Sequence, residues 1–332
     1  MYKIGLDIMG SDNGPKVAIR AAIESIKKYR DLCLVLFGDI ETITTELKKY
    51  KYNKNQIEIF GCTQVIEMTD GVLDIRRKKD SSMVRALETL EKKEISGMIT
   101  AGSSASFVAG CHFILKEIKG VSRPGFMPII PTIIKDKVTH LLDVGANLEN
   151  TSKDLYTYAK IASIYAKTNY NIANPKVGLL NIGVESSKGP EFLREAYKLI
   201  KEDKNINFYG NIEGREITSG IVDVIVCDGY AGNIALKSFE GMGKNILREI
   251  KKGVKKNPWV MFTYILGFWM VFRRIKAKFN YKNYAGAIML GVNGIAFKSH
   301  GSSDVLSFVS TIRMTYEAVK NNVLSEIEKN LK

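Results

Sequence analysis

The sequence predicts an α/β protein built in three layers, with helices on both faces of a mainly parallel sheet. Short apolar runs of strand length alternate with amphipathic stretches of helix length, which is the pattern of βα units. The chain has 332 residues, of which 45% are hydrophobic and 25% charged, so it can bury a large core and is not a disordered chain. Because no repeat or Pro/Gly/Ser-rich linker divides it, we expect residues 1–332 to form a single two-lobed unit.

Nine strands and four helices follow from the apolar runs and the turn residues between them. Pro15 and Pro190 stand at two of the predicted helix starts, where proline is well tolerated. The predicted strands are Tyr2 to Ile8, Cys33 to Phe37, Gln56 to Phe60, Gly97 to Thr100, His140 to Val144, Lys176 to Ile182, Ile206 to Tyr209, Val222 to Cys227 and Ile295 to Ser299. The predicted helices are Pro15 to Tyr29, Ser104 to Ile118, Ser152 to Lys167 and Pro190 to Glu202.

A further helix is predicted at the C-terminus, where apolar residues recur at three- and four-residue steps from Val305 to Leu331. A stripe of this kind is buried either in the core of the chain or in a dimer interface. It is not the pattern of a binding site.

The net charge of +14 is concentrated in one segment. Residues 251–282 contain nine lysines and arginines and no acidic residue, which leaves +5 for the other 300 residues. A basic helix pattern from Lys244 to Lys256 precedes Asn257 and Pro258, which would cap and start a second helix. We therefore expect residues 243–282 to form a projecting helical hairpin, both basic and apolar.

The second arm of this hairpin, Pro258 to Phe272, has twelve apolar residues among fifteen. At about 1.5 Å per residue it would be roughly 22 Å long, and the hydrocarbon core of a bilayer is about 30 Å thick. We therefore expect it not to span a membrane. Nucleic-acid binding, which a pI near 9.4 suggests, fits poorly because an apolar block separates the two groups of cations.

The cysteines and histidines do not indicate a metal site. The four cysteines lie far apart without a CxxC spacing, and the three histidines have no HxxxH partner. The chain opens directly on a predicted strand rather than on the apolar stretch of a signal peptide. We expect a cytoplasmic protein with reduced thiols and without a metal or other cofactor.

Five polar clusters stand where predicted strands end, which is the edge at which open parallel sheets collect ligands. The first, Asp7 to Pro15, runs into a helix and could bind an anion through its main-chain N–H groups, or could be a plain βα turn. A single cluster is readily explained as a structural turn, but five together favour a polar cleft. The other four are Ala101 to Ser104, Asp143 to Asn147, Asp228 to Asn233 and His300 to Asp304.

Three further features are candidates for chemistry. Lys188 stands just before a predicted helix start, where a cation is unfavourable unless an anion binds nearby, so it is either a phosphate ligand or a solvated lysine. Ser81 and Ser82 follow a run of cations and precede another helix. His300 lies in a Gly/Ser-rich turn and could act as a general acid or base, although a structural role is the commoner one for such a histidine.

Taken together in chain order, these motifs resemble the bacterial phosphate acyltransferases of phospholipid synthesis. The resemblance spans nearly the whole chain. It rests on Asp7-x-Met9-Gly10-x-Asp12-x-x-Pro15, Lys78-Lys79-x-Ser81-Ser82, Asp143-Val144-Gly145-Ala146-Asn147, Asn181-x-Gly183-x-Glu185-x-x-Lys188-Gly189, Gly210-Asn211-Ile212-Glu213-Gly214-Arg215, Val226-Cys227-Asp228-Gly229-Tyr230-x-Gly232-Asn233, Leu290-Gly291-Val292-x-Gly294 and His300-Gly301-Ser302-Ser303-Asp304.

The resemblance implies an enzyme that transfers a long-chain fatty acyl group from acyl carrier protein to inorganic phosphate. The acyl phosphate product is used to start phosphatidic acid synthesis. The resemblance also implies a fold similar to phosphotransacetylases and isocitrate dehydrogenases, and a homodimer. Three segments depart from the family pattern and could change the acyl or phosphate site. They are Cys62-Thr63, Thr100 to Ser106, which includes Ser103-Ser104, and Ala285-Gly286-Ala287-Ile288.

The reaction needs an anion held near the thioester carbonyl and donors for the oxyanion that develops on it. By residue type we assign Asn147, Lys188, Asn233 and His300 as catalytic. The residues assigned to substrate and phosphate binding are Asp7, Gly10, Asp12, Ser81, Ser82, Gly102, Ser103, Asp228, Ser302 and Ser303.

The basic and apolar segment fits the product, because a long-chain acyl phosphate is poorly soluble and its consumer is a membrane enzyme. Aromatic residues flanked by cations are expected to lie in the interface of an anionic membrane, although a buried dimer-interface helix is the alternative. This predicts a cytoplasmic enzyme associated peripherally with the inner face of the cell membrane. The membrane-contact residues would be Trp259, Phe262, Phe268 and Trp269. The other functions that fit are an acyl-CoA:phosphate acyltransferase of the phosphotransacetylase type and a non-catalytic membrane scaffold.

Overall fold

The structure is a computed structural model that describes residues 1–256, 267, 270, 273 and 284–331. The described chain forms an eleven-stranded sheet with helices on both faces, which confirms the predicted three-layer α/β class. The strands are β1 (Tyr2–Asp7), β2 (Leu32–Gly38), β3 (Ile57–Gly61), β4 (Gly97–Thr100), β5 (Gly125–Pro131), β6 (Val138–Leu142), β7 (Lys176–Leu180), β8 (Asn207–Ile212), β9 (Val224–Val226), β10 (Gly286–Leu290) and β11 (Ala296–Ser299).

Ten α-helices are described alongside the sheet, and three single turns of other helix types accompany them. Pro15 occupies the first turn of its helix as predicted, whereas Pro190 stands one position before the helix that follows it. The helices are α1 (Pro15–Lys28), α2 (Ile40–Leu47), α3 (Asp74–Arg77), α4 (Ser82–Glu91), α5 (Ser104–Gly110), α6 (Ser152–Tyr170), α7 (Glu191–Glu202), α8 (Gly229–Lys256), α9 (Val305–Lys320) and α10 (Val323–Asn330).

The sheet consists of two parallel groups that point in opposite directions. The strand order is β3-β2-β1-β4-β11-β10-β5-β6-β9-β7-β8, and seven of the ten strand pairings are parallel. The three antiparallel pairings join β11 to β10, β10 to β5 and β5 to β6. The carboxyl ends of β1, β4 and β11 therefore lie at one edge of the sheet, and those of β6, β9 and β7 lie at the opposite edge.

The two strands that produce this reversal, β5 and β10, are absent from the sequence prediction. Strand β5 contains Pro128 and Pro131, which lack the N–H group that a ladder needs and argue against a central strand. Strand β10 is the short run Gly286–Leu290. Because the reversal places the polar loops at two opposite edges of the sheet, the prediction that they share one ligand-binding edge is wrong.

The core lies on both faces of the sheet, because successive strand residues point to opposite sides. On one face Leu34 and Leu36 of β2 pack with residues of α1, α6 and α9 in a single buried cluster. On the other face Val35 and Phe37 of the same strand pack with residues of α4 and α5. The alternating side chains of β2 thus pack against the helices on both faces of the sheet.

The C-terminal stripe forms part of the core of this chain. Phe308, Ile312, Val323 and Ile327 are all at most 2% exposed. The prediction of one continuous helix is wrong, because the chain breaks at Asn322, whose φ of 53° is left-handed, and restarts as α10. Asparagine tolerates that conformation better than most residues, which is why the break falls there.

Helix α8 begins well before the predicted basic helix and leaves the body of the protein. No side chain described between Asn233 and Ile250 is buried. Only the first arm of the predicted hairpin, within α8, is described; Trp259, Phe262, Phe268 and Trp269 lie outside the described residues. Within the described ranges, no helix has the length and apolarity needed to cross a bilayer.

Replacement of Ile312 by alanine tests the core assignment of the C-terminal stripe. Ile312 is fully buried in α9, so we expect Ile312→Ala to lower the free energy of unfolding by about 2–5 kcal/mol. Leu306 of the same helix is 46% exposed, and we expect Leu306→Ala to change it by no more than about 0.5 kcal/mol. Urea denaturation measures both values, and equal losses would contradict the core assignment.

Candidate active site

Three loops meet at the edge of the sheet where β1, β4 and β11 end. The backbone N–H of Asp12 donates to the carbonyl oxygen of Gly301 at 3.0 Å, and the Asn13 side chain donates to the Ser303 carbonyl, also at 3.0 Å. These bonds join residues that are about 290 positions apart in the chain. We call this group the His300 cluster, and it comprises Asp7–Asn13, Thr100–Ser103 and Lys298–Ser303.

Asp7 holds the first two loops of the His300 cluster together. Its carboxylate is buried and accepts hydrogen bonds from the Thr100 hydroxyl at 2.7 Å and from the Met9 N–H at 3.1 Å. A Cβ atom on Gly10 would lie 2.7 Å from the Cα of Gly102, so the two backbones touch and only glycine fits at this point. The loops consequently present main chain and small side chains at this edge.

The hydrogen bonds of His300 define its tautomer. Its Nδ1 accepts the backbone N–H of Ser302 at 3.2 Å and lies 2.9 Å from the Ser302 hydroxyl. The proton of the neutral ring is therefore on Nε2. Burial and the positive charges of Lys237 and Lys298 lower the pKa of His300, whereas Glu240 opposes them, so the ring of this exposed residue is neutral near pH 7 and its Nε2–H can donate.

Lys298 belongs to the His300 cluster and was missed by the sequence analysis. It is the third residue of β11, is 8% exposed, and donates from Nζ to the Ser299 carbonyl at 2.6 Å. The signal was available in the sequence, since a lysine stands between the apolar residue Phe297 and Ser299 in a predicted strand. Lysine is rarely buried unless it has a partner of opposite charge, so a lysine in a buried strand is a candidate functional residue.

A second polar group lies at the opposite edge, where β6 and β9 end. We call it the Asn147 cluster, and it comprises Asp143–Asn147 and Cys227–Asn233. Its centre is the fully buried Asp143, whose carboxylate accepts the backbone N–H groups of Phe126, Gly145, Ala146 and Asn147 at 2.9–3.2 Å. Burial raises the pKa of Asp143, and the hydrogen bonds from Ala146, Asn147 and Phe126 oppose that change.

The side chain of Asn147 is also engaged within this cluster. Its Nδ2 donates to the Pro124 carbonyl at 2.7 Å and lies 2.9 Å from both the Asp143 carboxylate and the Tyr158 hydroxyl. The amide N–H groups therefore serve to fix the loop. By contrast, Asn233 is exposed and lies against Gly145, 3.2 Å from the position of an added Cβ atom.

The first turn of α8 packs directly on the Asn147 cluster. A Cβ atom on Gly229 would overlap the carbonyl oxygen of Asn147, and one on Gly232 would overlap that of Asp143. Both glycines of the Asp228–Asn233 motif are thus required by close approach of two backbones. Asp228 caps the helix by accepting the N–H of Ala231 at 2.9 Å.

Lys188 lies in a third loop, at the carboxyl end of β7 and on the same edge as the Asn147 cluster. Its side chain is exposed, and its carbonyl oxygen accepts the side-chain N–H of the buried Asn181 at 3.1 Å. Gly189, which follows it, has a left-handed φ of 83° and contacts Asn181. The loop is therefore well held, and the lysine points away from the core.

The beginning of α8 connects the two edges. The helix starts at the Asn147 cluster, and two turns later its Lys237 is close enough to affect the pKa values of both His300 and Lys298. At about 1.5 Å per residue, Gly229 and Lys237 are roughly 12 Å apart. The candidate active site thus comprises the His300 cluster, the Asn147 cluster and the part of α8 that joins them.

Several predicted phosphate ligands have structural roles. Ser81 and Ser103 each cap a helix, Ser82 is buried, and Ser303 bonds the Ser299 hydroxyl at 2.7 Å. These placements do not test ligand binding. The assignments made from the sequence remain predictions.

Comparison with solved structures defines the class of fold. The chain is similar to the EutD phosphotransacetylase from Staphylococcus aureus, with a TM-score of 0.63 at 16% identity over 96% of this chain and 94% of that one. It is equally similar to a phosphotransacetylase from Streptococcus pyogenes, with a TM-score of 0.64 at 17% identity and the same coverage. The fold is therefore that of the phosphotransacetylases.

Comparison with known sequences defines the family. Residues 2–326 match the family described as fatty acid synthesis protein. The chain is 53% identical to the phosphate acyltransferase of Mesoplasma florum over the full length of both proteins. It is 52% identical to that of Mycoplasma capricolum and 43% identical to that of Clostridium botulinum, over at least 98% of each chain. The chain belongs to the phosphate acyltransferase family, as its motifs indicated.

Two glycines of α8 provide a test of the contact between this helix and the Asn147 cluster. We expect Gly232→Ala to lower the free energy of unfolding by about 1–3 kcal/mol, because the added methyl group overlaps the Asp143 carbonyl. Gly241 has no atom within 4 Å of its added Cβ, so we expect Gly241→Ala to raise stability by up to about 1 kcal/mol. Thermal unfolding of both variants measures the difference. A stable Gly232→Ala protein would contradict the close contact.

Proposed function

We propose that this protein transfers a long-chain acyl group from acyl carrier protein to inorganic phosphate, giving an acyl phosphate for phosphatidic acid synthesis. Its family membership and its 53% identity to a phosphate acyltransferase support the acceptor and the reaction class. The residual +5 charge outside residues 251–282 favours an acidic donor protein over a neutral one.

In the reaction a phosphate oxygen attacks the thioester carbonyl carbon, the C–S bond breaks, and the leaving thiolate takes up a proton. Negative charge develops on the carbonyl oxygen before the C–S bond breaks, so a fixed donor at that oxygen lowers the barrier. The His300 cluster offers such a donor in the Nε2–H of the exposed residue His300. This single observation carries the assignment of the acyl-transfer site to this edge.

The other residues assigned from the sequence have distinct parts in this proposal. Asn233, whose amide is exposed, is available to contact the donor thioester. Asn147 keeps the loop beneath it in place, because its N–H groups are engaged with Asp143 and Pro124. Lys188 remains a predicted phosphate ligand on the argument that a cation before a helix needs an anion nearby. Because it lies at the opposite edge of the sheet from His300, it is the alternative to a phosphate site in the His300 cluster.

Coenzyme A thioesters are the alternative donors. The similarity to two phosphotransacetylases favours this second function at the level of the fold. The two functions differ in the donor and not in the phosphate acceptor. A comparison of donors therefore separates them.

A thiol-release assay with a long-chain acyl thioester tests the proposed function. We expect release from acyl carrier protein that requires phosphate and saturates with it, and that is faster than release from coenzyme A. Sulfate in place of phosphate is the control for ionic strength. Faster release from coenzyme A would establish the alternative function, and no phosphate-dependent release from either donor would contradict both.

Two histidine variants make the assay specific to the His300 cluster. We expect His300→Asn to lower kcat by roughly 100-fold to 1000-fold, because the shorter asparagine side chain places no N–H at the position of the His300 Nε2–H, where the oxyanion develops. His112, which is exposed and paired with Glu117 on the surface, provides the matched control, and His112→Asn should keep full activity.

We also propose that the protein is a homodimer held at the inner face of the cytoplasmic membrane. An apolar stripe on α8 supports an interaction surface, since Tyr230, Ile234, Met242 and Ile246 are each at least 50% exposed. The nine cations and the apolar block of residues 251–282 support binding to anionic lipid. The organisation as a single two-lobed unit with a projecting hairpin over residues 243–282 is part of the same proposal.

Flotation with vesicles tests the membrane proposal. We expect the wild-type protein to float with vesicles that contain anionic lipid, and less so at high salt, because salt screens the attraction. Trp269→Glu should reduce the recovered fraction by placing a charge in the apolar block. Leu148 is 76% exposed and lies outside that segment, so Leu148→Glu is the control. Equal recovery of wild type and Trp269→Glu would refute membrane insertion of this segment.

A further inference from the structure

Lys298 stands in the middle of the sheet. Strand β11 lies between β4 and β10, and Lys298 is paired in register with Thr100 on one side and Ala287 on the other. Phe297 and Ser299, its neighbours in the strand, are fully buried. Lysine is among the residues least often buried without a partner of opposite charge.

The ammonium group of Lys298 has N–H donors that no described residue accepts. Its only hydrogen bond to described residues is the one to the Ser299 carbonyl, and none of their carboxylate oxygens lies within 4.0 Å of Nζ. An ammonium group has three N–H donors, so two are left. A buried charge without a counterion is costly, and binding of an anion would offset that cost.

The acidic residues nearby do not occupy this place. Asp7 and Asp12 attract Lys298 from beyond ion-pair distance, and the carboxylate of Asp7 already accepts two hydrogen bonds. The cations that act on this part of the cluster are Lys237 and Lys244 of α8 and Lys298 itself, and the neutral His300 stands two residues further on. Burial lowers the pKa of Lys298 to about 8, with Asp7 and Asp12 opposing, so the group is still mostly charged at pH 7.

The surroundings of Lys298 suit a small oxyanion. Glycines and serines make up much of the loops around it, and their small side chains leave main-chain N–H groups near the end of β11. Gly10 and Gly102, in the loops after β1 and β4, are in backbone contact. Groups of this kind bind phosphate oxygens in many proteins.

We propose that the ammonium group of Lys298 binds the inorganic phosphate substrate and holds it at the end of β11 beside His300. This inference rests on the proposed function, because it assigns the nucleophile of that reaction to the His300 cluster. Lys298 takes part in no covalent step. It neutralises charge on the phosphate and positions it for attack on a carbonyl whose oxygen is held by His300.

Kinetics of two methionine variants test the inference. We expect Lys298→Met to raise the KM for phosphate roughly 10-fold to 100-fold, the effect of losing a charge-assisted hydrogen bond, with little change in the KM for the acyl donor. Lys198 is exposed on α7, and Lys198→Met should leave both constants unchanged. The Tm of Lys298→Met without phosphate should be unchanged or higher, because a buried charge is removed.

The pH dependence of binding provides a second measurement. In the wild-type protein the KM for phosphate should rise above pH 8, by about tenfold per pH unit, as the Lys298 ammonium loses its proton. This rise should be absent from Lys298→Arg, because a guanidinium group stays charged throughout that range. If Lys298→Met does not fold, the comparison of wild type with Lys298→Arg decides the question.

Each outcome bears on one proposal. Wild-type activity that saturates with phosphate, together with an unchanged phosphate KM in Lys298→Met or the same rise above pH 8 in Lys298→Arg, overturns the inference and leaves the proposed function intact. A raised phosphate KM in Lys188→Ala alone would place the phosphate at the other edge and also overturn it. Absence of phosphate-dependent activity in the wild type counts against the proposed function itself.

Discussion

The reversal of strand direction at β10 and β5 is the constraint on which the arrangement of the site depends. In a wholly parallel sheet, every strand would end at the same edge and one row of loops would form the site. Here the antiparallel pairings of β10 and β5 send the ends of β1, β4 and β11 to one edge and those of β6, β9 and β7 to the other. Helix α8 begins at the loops of the second edge and passes the loops of the first, so it connects the two.

The start of α8 is held at the second edge by two glycines. Gly229 and Gly232 let the first turn of the helix lie on the backbone of the loop after β6. The buried Asp143 fixes that loop through three of its backbone N–H groups and ties it to β5 through the N–H of Phe126. The helix then extends past the His300 cluster, where Lys237 contributes positive charge. One end of α8 is held by close packing, and its later turns carry exposed apolar residues suited to another surface.

Buried ionisable side chains are used in two ways in this structure. The carboxylates of Asp143 and Asp7 are satisfied by hydrogen bonds within the chain, and both hold loops in place. Lys298 is the contrasting case, since the described residues offer its ammonium group one carbonyl oxygen and no close carboxylate. Hydrogen-bonded carboxylates such as those of Asp143 and Asp7 hold the backbone rigidly in place. A buried ammonium group with unused donors, such as that of Lys298, is suited to binding a ligand. Because the chain belongs to the phosphate acyltransferase family, inorganic phosphate is the ligand that we propose for Lys298.

The sequence by itself determined the fold class, the family and most of the individual elements. Periodicity revealed nine strands and the helices between them, because apolar spacing follows directly from which side chains are buried. It could not reveal β5, where Pro128 and Pro131 argue against a strand, nor the left-handed break at Asn322. Only the tertiary structure decided which loops meet, which of His300's two ring nitrogens carries the proton, and that Lys298 is buried without a close carboxylate. The meeting of the loops depends on contacts between residues up to 290 positions apart, and the burial of Lys298 depends on strands that come from distant parts of the chain. The His300 tautomer depends on the exact path of its own turn. The spacing of apolar residues carries no information about any of these.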